Sequence, residues 1–170
     1  MTALIYTIVL LLLVGADQLT KYIVVSNMEL GQTIHAIDGL LDWTYILNDG
    51  ASFGMLGGKT VFLIIVTCVV MAVLGFVLYS GRIKHITGNI AVLLILSGGI
   101  GNLIDRIFNN GLVVDFIDID PIFTFPKFNV ADCCVTCGAV LLFVFVLFFY
   151  EDKDKSKAAA EAADQENEQA

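Results

Sequence analysis

Four long apolar stretches alternate with short polar ones along the 170-residue chain. Residues 2–25, 60–80, 89–107 and 129–150 are each long enough, at about 1.5 Å per helical residue, to cross roughly 30 Å of hydrocarbon. The pattern predicts four transmembrane helices. Between the first two lies a stretch of different character, "GQTIHAIDGLLDWTYILNDGASFGMLGG", Gly31 to Gly58, where β-branched and aromatic residues are flanked by glycine and aspartate. It reads as short strands on the membrane surface, an extracytoplasmic cap over about residues 28–59. The fold class expected is therefore an all-α membrane protein, four transmembrane helices with a small β-rich cap, organised as one domain over 1–150. Residues 151–170, rich in Ala, Glu, Asp, Gln and Lys without core-forming residues, read as an acidic solvated tail on the cytoplasmic side.

Composition agrees with a bilayer as solvent. Hydrophobic residues make up 58% of the chain and charged residues 15%, more apolar surface than a soluble domain of this length can bury. The first span opens without a basic segment and runs into Asp17 and Lys21 without a small-residue cleavage site, which predicts a retained helix and not a removed leader. Arg82 and Lys84 between the second and third spans, with Lys153, Lys155 and Lys157 after the fourth, place both termini in the cytoplasm; Lys59 and Lys127 fall on the other side. The net charge of -8 gives no support to a nucleic-acid partner.

This topology gathers the costly polar groups at one end of the bundle. The first span carries Asp17 and Lys21 near its outer end, the third carries Asn102, Asp105 and Arg106, the fourth opens with Asn129 and Asp132, and Asn48 and Asp115 sit in outer loops. Ionisable groups at membrane depth normally face the bundle interior and mark a site. Spacing supports this, because Asp17 with Lys21 and Asn102 with Arg106 are four apart, Asn129 with Asp132 three apart, so each pair shares a helix face. Gly98, Gly99 and Gly101 read as close helix packing or local deformation. Cys68, Cys133, Cys134 and Cys137 lie in or at the edge of spans; "CCVTC" holds one C-x-x-C without a second pair or a nearby histidine, and the cysteines read as small packing residues.

The chain shows no G-x-S-x-G, H-E-x-x-H or phosphate loop, so carboxylates remain as the reactive groups. Two aspartates close together in a poorly solvated place share one proton and can perform acid–base hydrolysis without a metal. Asp115 and Asp132 are the pair expected, since "VVDF" forms an apolar loop returning to the membrane and "FNVAD" opens the last helix. Asp118 and Asp120, alternating about Ile119 before a proline, read as a solvated face. An ion- or proton-conducting protein, or a lipid-binding scaffold, would also collect such groups, although a channel needs them along its full depth and the inner halves of these spans are almost wholly apolar.

Five blocks carry a resemblance: "DQLTK" at Asp17 to Lys21, "NDGASFG" at Asn48 to Gly54, "GGIGNLIDR" at Gly98 to Arg106, "VVDF" at Val113 to Phe116 and "FNVAD" at Phe128 to Asp132. In this order, on four spans, the sequence resembles the lipoprotein signal peptidases (signal peptidase II), bacterial inner-membrane aspartic proteases. The likeness runs to about Tyr150 and leaves out the tail; Ser52 stands where many members have alanine. It implies an endopeptidase that removes the signal peptide from diacylglyceryl-modified prolipoproteins, cutting just before the lipidated cysteine. It implies Asp115 and Asp132 as the catalytic dyad, with Asp17, Lys21, Asn48, Gly54, Asn102, Arg106 and Asn129 lining and supporting the site. It implies no cofactor and no metal, membrane lipids and the prolipoprotein as partners, and a place in the bacterial inner membrane; a monomer is expected, although no residue pattern in the chain specifies it.

Overall fold

A computed structural model describes residues 2–50 and 60–150; Ser52, Gly54, Lys59 and the tail lie outside the described residues. Four helices and three strands follow in the order α1 (Thr2–Asn27), β1 (Thr33–Ile37), β2 (Leu41–Asn48), α2 (Thr60–Tyr79), α3 (Ile86–Phe108), β3 (Val113–Asp118) and α4 (Val130–Phe145), the last continued by a π-helical turn, Val146–Tyr150. All four helices have the length and composition to cross a membrane. Leu4, Leu11 and Leu12 of α1 and Val61, Phe62 and Ile65 of α2 are all more than half exposed. An apolar surface of that extent is stable against lipid chains and not against water.

The boundaries shift by a few residues from those the hydropathy pattern suggests. α1 runs on to Asn27, whose side chain donates back to the Ile23 carbonyl. α3 starts at Ile86, ahead of the expected residue 89, because the His85 ring accepts from the Thr87 amide and caps the first turn. α4 starts one residue later than expected, because Asn129 is its N-cap: Asn129 Oδ1 accepts from the Asp132 amide while Asp132 Oδ2 accepts from the Asn129 amide, a reciprocal capping box.

Glycines decide how closely α3 and α4 approach. A methyl added at Gly98 would run into the Ala131 carbonyl and the Val135 side chain, and one at Gly138 into the Ala91 carbonyl. Gly98 reads from sequence as close packing or local deformation, and close packing is what it provides. Leu78, Val92, Leu93 and Leu96 form an apolar core between α2 and α3, joined by Tyr6, Val9 and Leu10 of α1.

The strands form one antiparallel sheet in the order β1-β2-β3. Two of them fall inside the stretch expected to hold strands. The third is a correction: the "VVDF" segment is not a loop but strand β3, with Asp115 opposite Ile46 and Val113 opposite Asn48. Its partner strand lies some seventy positions earlier in the chain, so local pattern alone could not show the pairing. A tight turn returns the chain from α3 to β3. Its Gly111 adopts φ +92° with the Thr60 side chain packed against it, a position closed to larger residues. Val24 of α1, Tyr45 of β2 and Val114 and Phe116 of β3 form a second core that seats the sheet on the end of the bundle.

Candidate active site

Where the sheet meets the helix ends, a buried ionic network ties three helices and a strand together. Lys21 Nζ lies 2.9 Å from Asp17 Oδ2 and 3.0 Å from Asp105 Oδ2, and donates to Asn102 Oδ1 at 2.9 Å. Asp17, Lys21 and Asp105 are each at most 3% exposed, so these partners replace water almost completely. Both carboxylates also do the positioning, Asp17 through its other oxygen and Asp105 through the oxygen that faces Lys21. Asp17 Oδ1 accepts from the Ala131 amide at 2.8 Å, and so binds the first turn of α4; Asp105 Oδ2 accepts from the Val114 amide at 3.0 Å, and so binds β3 beside Asp115. Gly101 is required here, since a Cβ would meet Asp17 Oδ2 and Ala131 Cβ.

Asp105 and Gln18 were not among the candidate site residues, yet both belong to this network: Gln18 Nε2 donates to Asp105 Oδ1, Asp17 Oδ2 and the Gly101 carbonyl. The signal for Asp105 was present in its spacing, three residues after Asn102 on α3. Gln18 offered none, because a neutral side chain next to Asp17 is common on an interfacial helix.

A chain of hydrogen bonds connects Asp115 to Asp132. Asn129 Nδ2 donates to Asp115 Oδ1 at 2.6 Å and to Asn102 Oδ1 at 3.0 Å, and Asn102 Nδ2 donates to Asp132 Oδ1 at 2.8 Å. Asn48 Nδ2 donates to Asp115 Oδ2 at 2.9 Å. Asp115 is 1% exposed and Asn129 fully buried. Burial, reinforced by the nearby Asp132 charge, pushes the Asp115 carboxyl up to about 7, against the pull of its Asn48 and Asn129 donors and of Lys21. Asp132 sits in the first turn of α4, where its Oδ2 accepts from the Asn129 amide and its Oδ1 from Asn102 Nδ2.

Both carboxylates line one cavity of about 740 Å³ together with Asn48, Asn102 and Arg106. The Arg106 guanidinium donates to the Asn102 and Gly50 carbonyls, while its Nε is buried without a partner among the described residues. Its lining also includes apolar Ile119, Phe125 and Phe128, Cys133 and Cys137 of α4, and polar Lys127 and Thr136. Eight of the nine candidate residues thus meet at one end of the bundle; Gly54 lies outside the described residues.

Asp118 is a second correction. It is 5% exposed, accepts from Thr44 Oγ1 at 2.6 Å and lies 3.4 Å from Lys127 Nζ, so it does not belong to a solvated face. Pairing of β2 with β3 brought Thr44 to it.

Residues 9–148 match the profile of the family described as signal peptidase (SPase) II. The chain belongs to the signal peptidase II family. Among its relatives, the lipoprotein signal peptidase of Enterococcus faecalis (strain ATCC 700802 / V583) is 37% identical over 143 residues, 84% of this chain and 88% of that one. The lipoprotein signal peptidase of Listeria monocytogenes serotype 4a (strain HCC23) is 40% identical over 83% of this chain and 92% of its own. That of Clostridioides difficile (strain 630) is 38% identical over 86% and 97%. A solved structure described as a bacterial membrane enzyme, determined by the in meso method at 2.3 Å resolution, superposes with a TM-score of 0.78 at 33% identity, covering 89% of this chain and 90% of that one. This member of the signal peptidase II family is accordingly a multi-pass bacterial membrane protein.

Proposed function

We propose that the chain is an aspartic endopeptidase that removes the signal peptide from diacylglyceryl-modified prolipoproteins, cutting just before the lipidated cysteine, with Asp115 and Asp132 as its catalytic dyad. Membership in the signal peptidase II family supports the substrate class. The observation that carries the chemistry is the placing of two carboxylates on one cavity, one in a strand and one at a helix N-terminus, joined through Asn129 and Asn102.

In this reading Asp132 is ionised and Asp115 holds the shared proton. Asp132 takes a proton from a water, whose oxygen adds to the scissile carbonyl carbon; Asp115 gives its proton to the carbonyl oxygen, and a neutral gem-diol forms. Collapse returns a proton to Asp115 and delivers the one on Asp132 to the leaving amide nitrogen, so the dyad ends as it began. Asn48 and Asn129 hold Asp115 in place, and Arg106 and Asn102 orient the peptide backbone. Asp17, Lys21 and Asp105 fix the distance between β3 and α4.

The enzyme acts as a monomer in the inner membrane, with both termini cytoplasmic and the sheet on the outer face. Arg82 and Lys84, next to the α2–α3 turn, support that orientation. Residues 1–150 form the protease domain and 151–170 a tail. A lipid-anchored cysteine would hold the scissile bond at the depth of the dyad, since acyl burial is worth about 0.8 kcal/mol per methylene.

The test is cleavage of a diacylglyceryl-modified precursor by the purified full-length protein in detergent. The wild type should cut before the modified cysteine, and Asp115→Asn and Asp132→Asn should both be inactive while remaining folded. Substantial turnover by either variant would sink the dyad assignment, and equal cleavage of a precursor without the lipid would sink the substrate assignment.

A further inference from the structure

The segment between β3 and α4, Ile119 to Lys127, connects the two elements that carry the dyad and also forms part of the cavity wall through Ile119, Phe125, Pro126 and Lys127 itself. Its ends are held by backbone pairing, since Phe116 and Ile117 donate to the Phe128 carbonyl and Phe128 donates to the Ile117 carbonyl. Its middle is held differently. Lys127 Nζ lies 2.5 Å from Asp120 Oδ2 and 3.4 Å from Asp118 Oδ2. Asp120 Oδ1 accepts from the Phe125 amide at 2.9 Å, Asp118 Oδ1 accepts from the Asp120 amide at 3.0 Å, and Thr44 Oγ1 ties Asp118 to β2. The Phe125 ring is packed edge-on against Phe123 and Phe128. These bonds form a continuous latch from β2 through Asp118, Lys127 and Asp120 to the backbone of Phe125.

We propose that Lys127 is a positioning residue for substrate binding: by joining Asp118 and Asp120 it holds the Ile119–Lys127 segment as a wall of the cavity, so that Phe125 and Pro126 grip the apolar part of the precursor. The proposal rests on the endopeptidase reading and concerns binding alone, because no group of the latch touches Asp115 or Asp132 in the hydrogen-bond network described above. Lys127 holds its proton more firmly through Asp120, and Asp120 is held below the usual carboxylate range by Lys127, as expected for an ion pair. The Asp120 end is open to water, with 38% of its side chain exposed, so salt can screen it.

Steady-state cleavage of the lipid-modified precursor by the full chain tests this. Lys127→Met and Asp120→Asn should each raise KM about fivefold and leave kcat within about twofold, the signature of lost binding without lost chemistry. Lys127→Arg, which keeps the charge, should stay within about twofold of wild type, and the Lys127→Met, Asp120→Asn double variant should be no worse than Lys127→Met alone, since loss of Lys127 already breaks its pair with Asp120 as well as that with Asp118. Raising salt should increase KM for the wild type and hardly for Lys127→Met. Hydrogen exchange gives a readout independent of turnover: the Phe125 amide should exchange faster in Lys127→Met while amides of the α3 core keep their protection. A fall in kcat at constant KM, additive losses in the double variant, Lys127→Arg as impaired as Lys127→Met, or unchanged exchange at Phe125 would each overturn the latch. Cleavage by the Asp115→Asn control would refute the dyad and leave the KM comparison standing, whereas a wild type that cuts no precursor would overturn both.

Discussion

Asp115 links the chemistry to the stability of the fold through one proton. Its carboxyl titrates near 7 in the folded protein and at the ordinary 3.8 when exposed. Between those values the folded state keeps a proton that the unfolded state has lost, so this group's contribution to stability is complete below pH 3.8 and is lost as pH rises through 7. At about 1.4 kcal/mol per pH unit the whole window is worth roughly 4 kcal/mol, of which about 2.5 kcal/mol falls between pH 5 and pH 8. Asp115→Asn removes the titration but not the hydrogen-bonding demand. Asn129 and Asn48 both donate to this carboxylate, one to each oxygen, and an amide has only one oxygen to offer, so one donor is left facing an amino group at a cost of about 1–3 kcal/mol. The variant should therefore be less stable than wild type at pH 5 and gain on it as pH rises. For a chain of this size about 2–4 °C of unfolding temperature corresponds to 1 kcal/mol, so the wild-type midpoint should drop roughly 5–10 °C further than that of the variant from pH 5 to pH 8. Thermal unfolding in detergent, followed by far-ultraviolet circular dichroism across this range, measures it. All other titrating groups are common to both proteins, so parallel pH profiles would refute a proton held on Asp115.

Cleavage itself should decline as pH rises past about 7, when Asp115 loses the proton it donates to the carbonyl oxygen; a rate still rising beyond that range would contradict the role given to it. Lys21→Met should leave Asp17 and Asp105 facing each other without a cation, a loss of about 3–5 kcal/mol that purification yield and unfolding temperature would report. Gly98→Ala should force α4 away from α3 at the Ala131 carbonyl and reduce kcat by displacing Asp132, whereas Gly15→Ala, with open space around it, should leave both stability and turnover near wild type. Activity should survive a chelator, because the dyad mechanism assigns no role to a metal; loss on chelation with recovery on adding a divalent ion would place the chemistry elsewhere.

Much of this molecule was legible in order along the chain, for reasons of range. Whether a stretch crosses a bilayer depends on its own hydropathy and length, so the four spans could be read within a few residues. The alternation of helix direction then forced Asp17, Asn102, Arg106 and Asp132 to the same end, and the helical period placed Asn129 with Asp132 on one turn. What tertiary structure decided are the contacts between segments far apart in sequence. Lys21 takes Asp105 as a second partner because α1 packs on α3, where Gly101 leaves room for the Asp17 carboxylate, and nothing local to Lys21 names Asp105 over other acids. Asp115 became part of a strand, and Asp118 a buried group, only when β3 paired with β2 across some seventy positions. The same pairing removed Asp115 from water and set its proton affinity, which depends on the solvent and charges around a carboxylate and not on its neighbours in the chain.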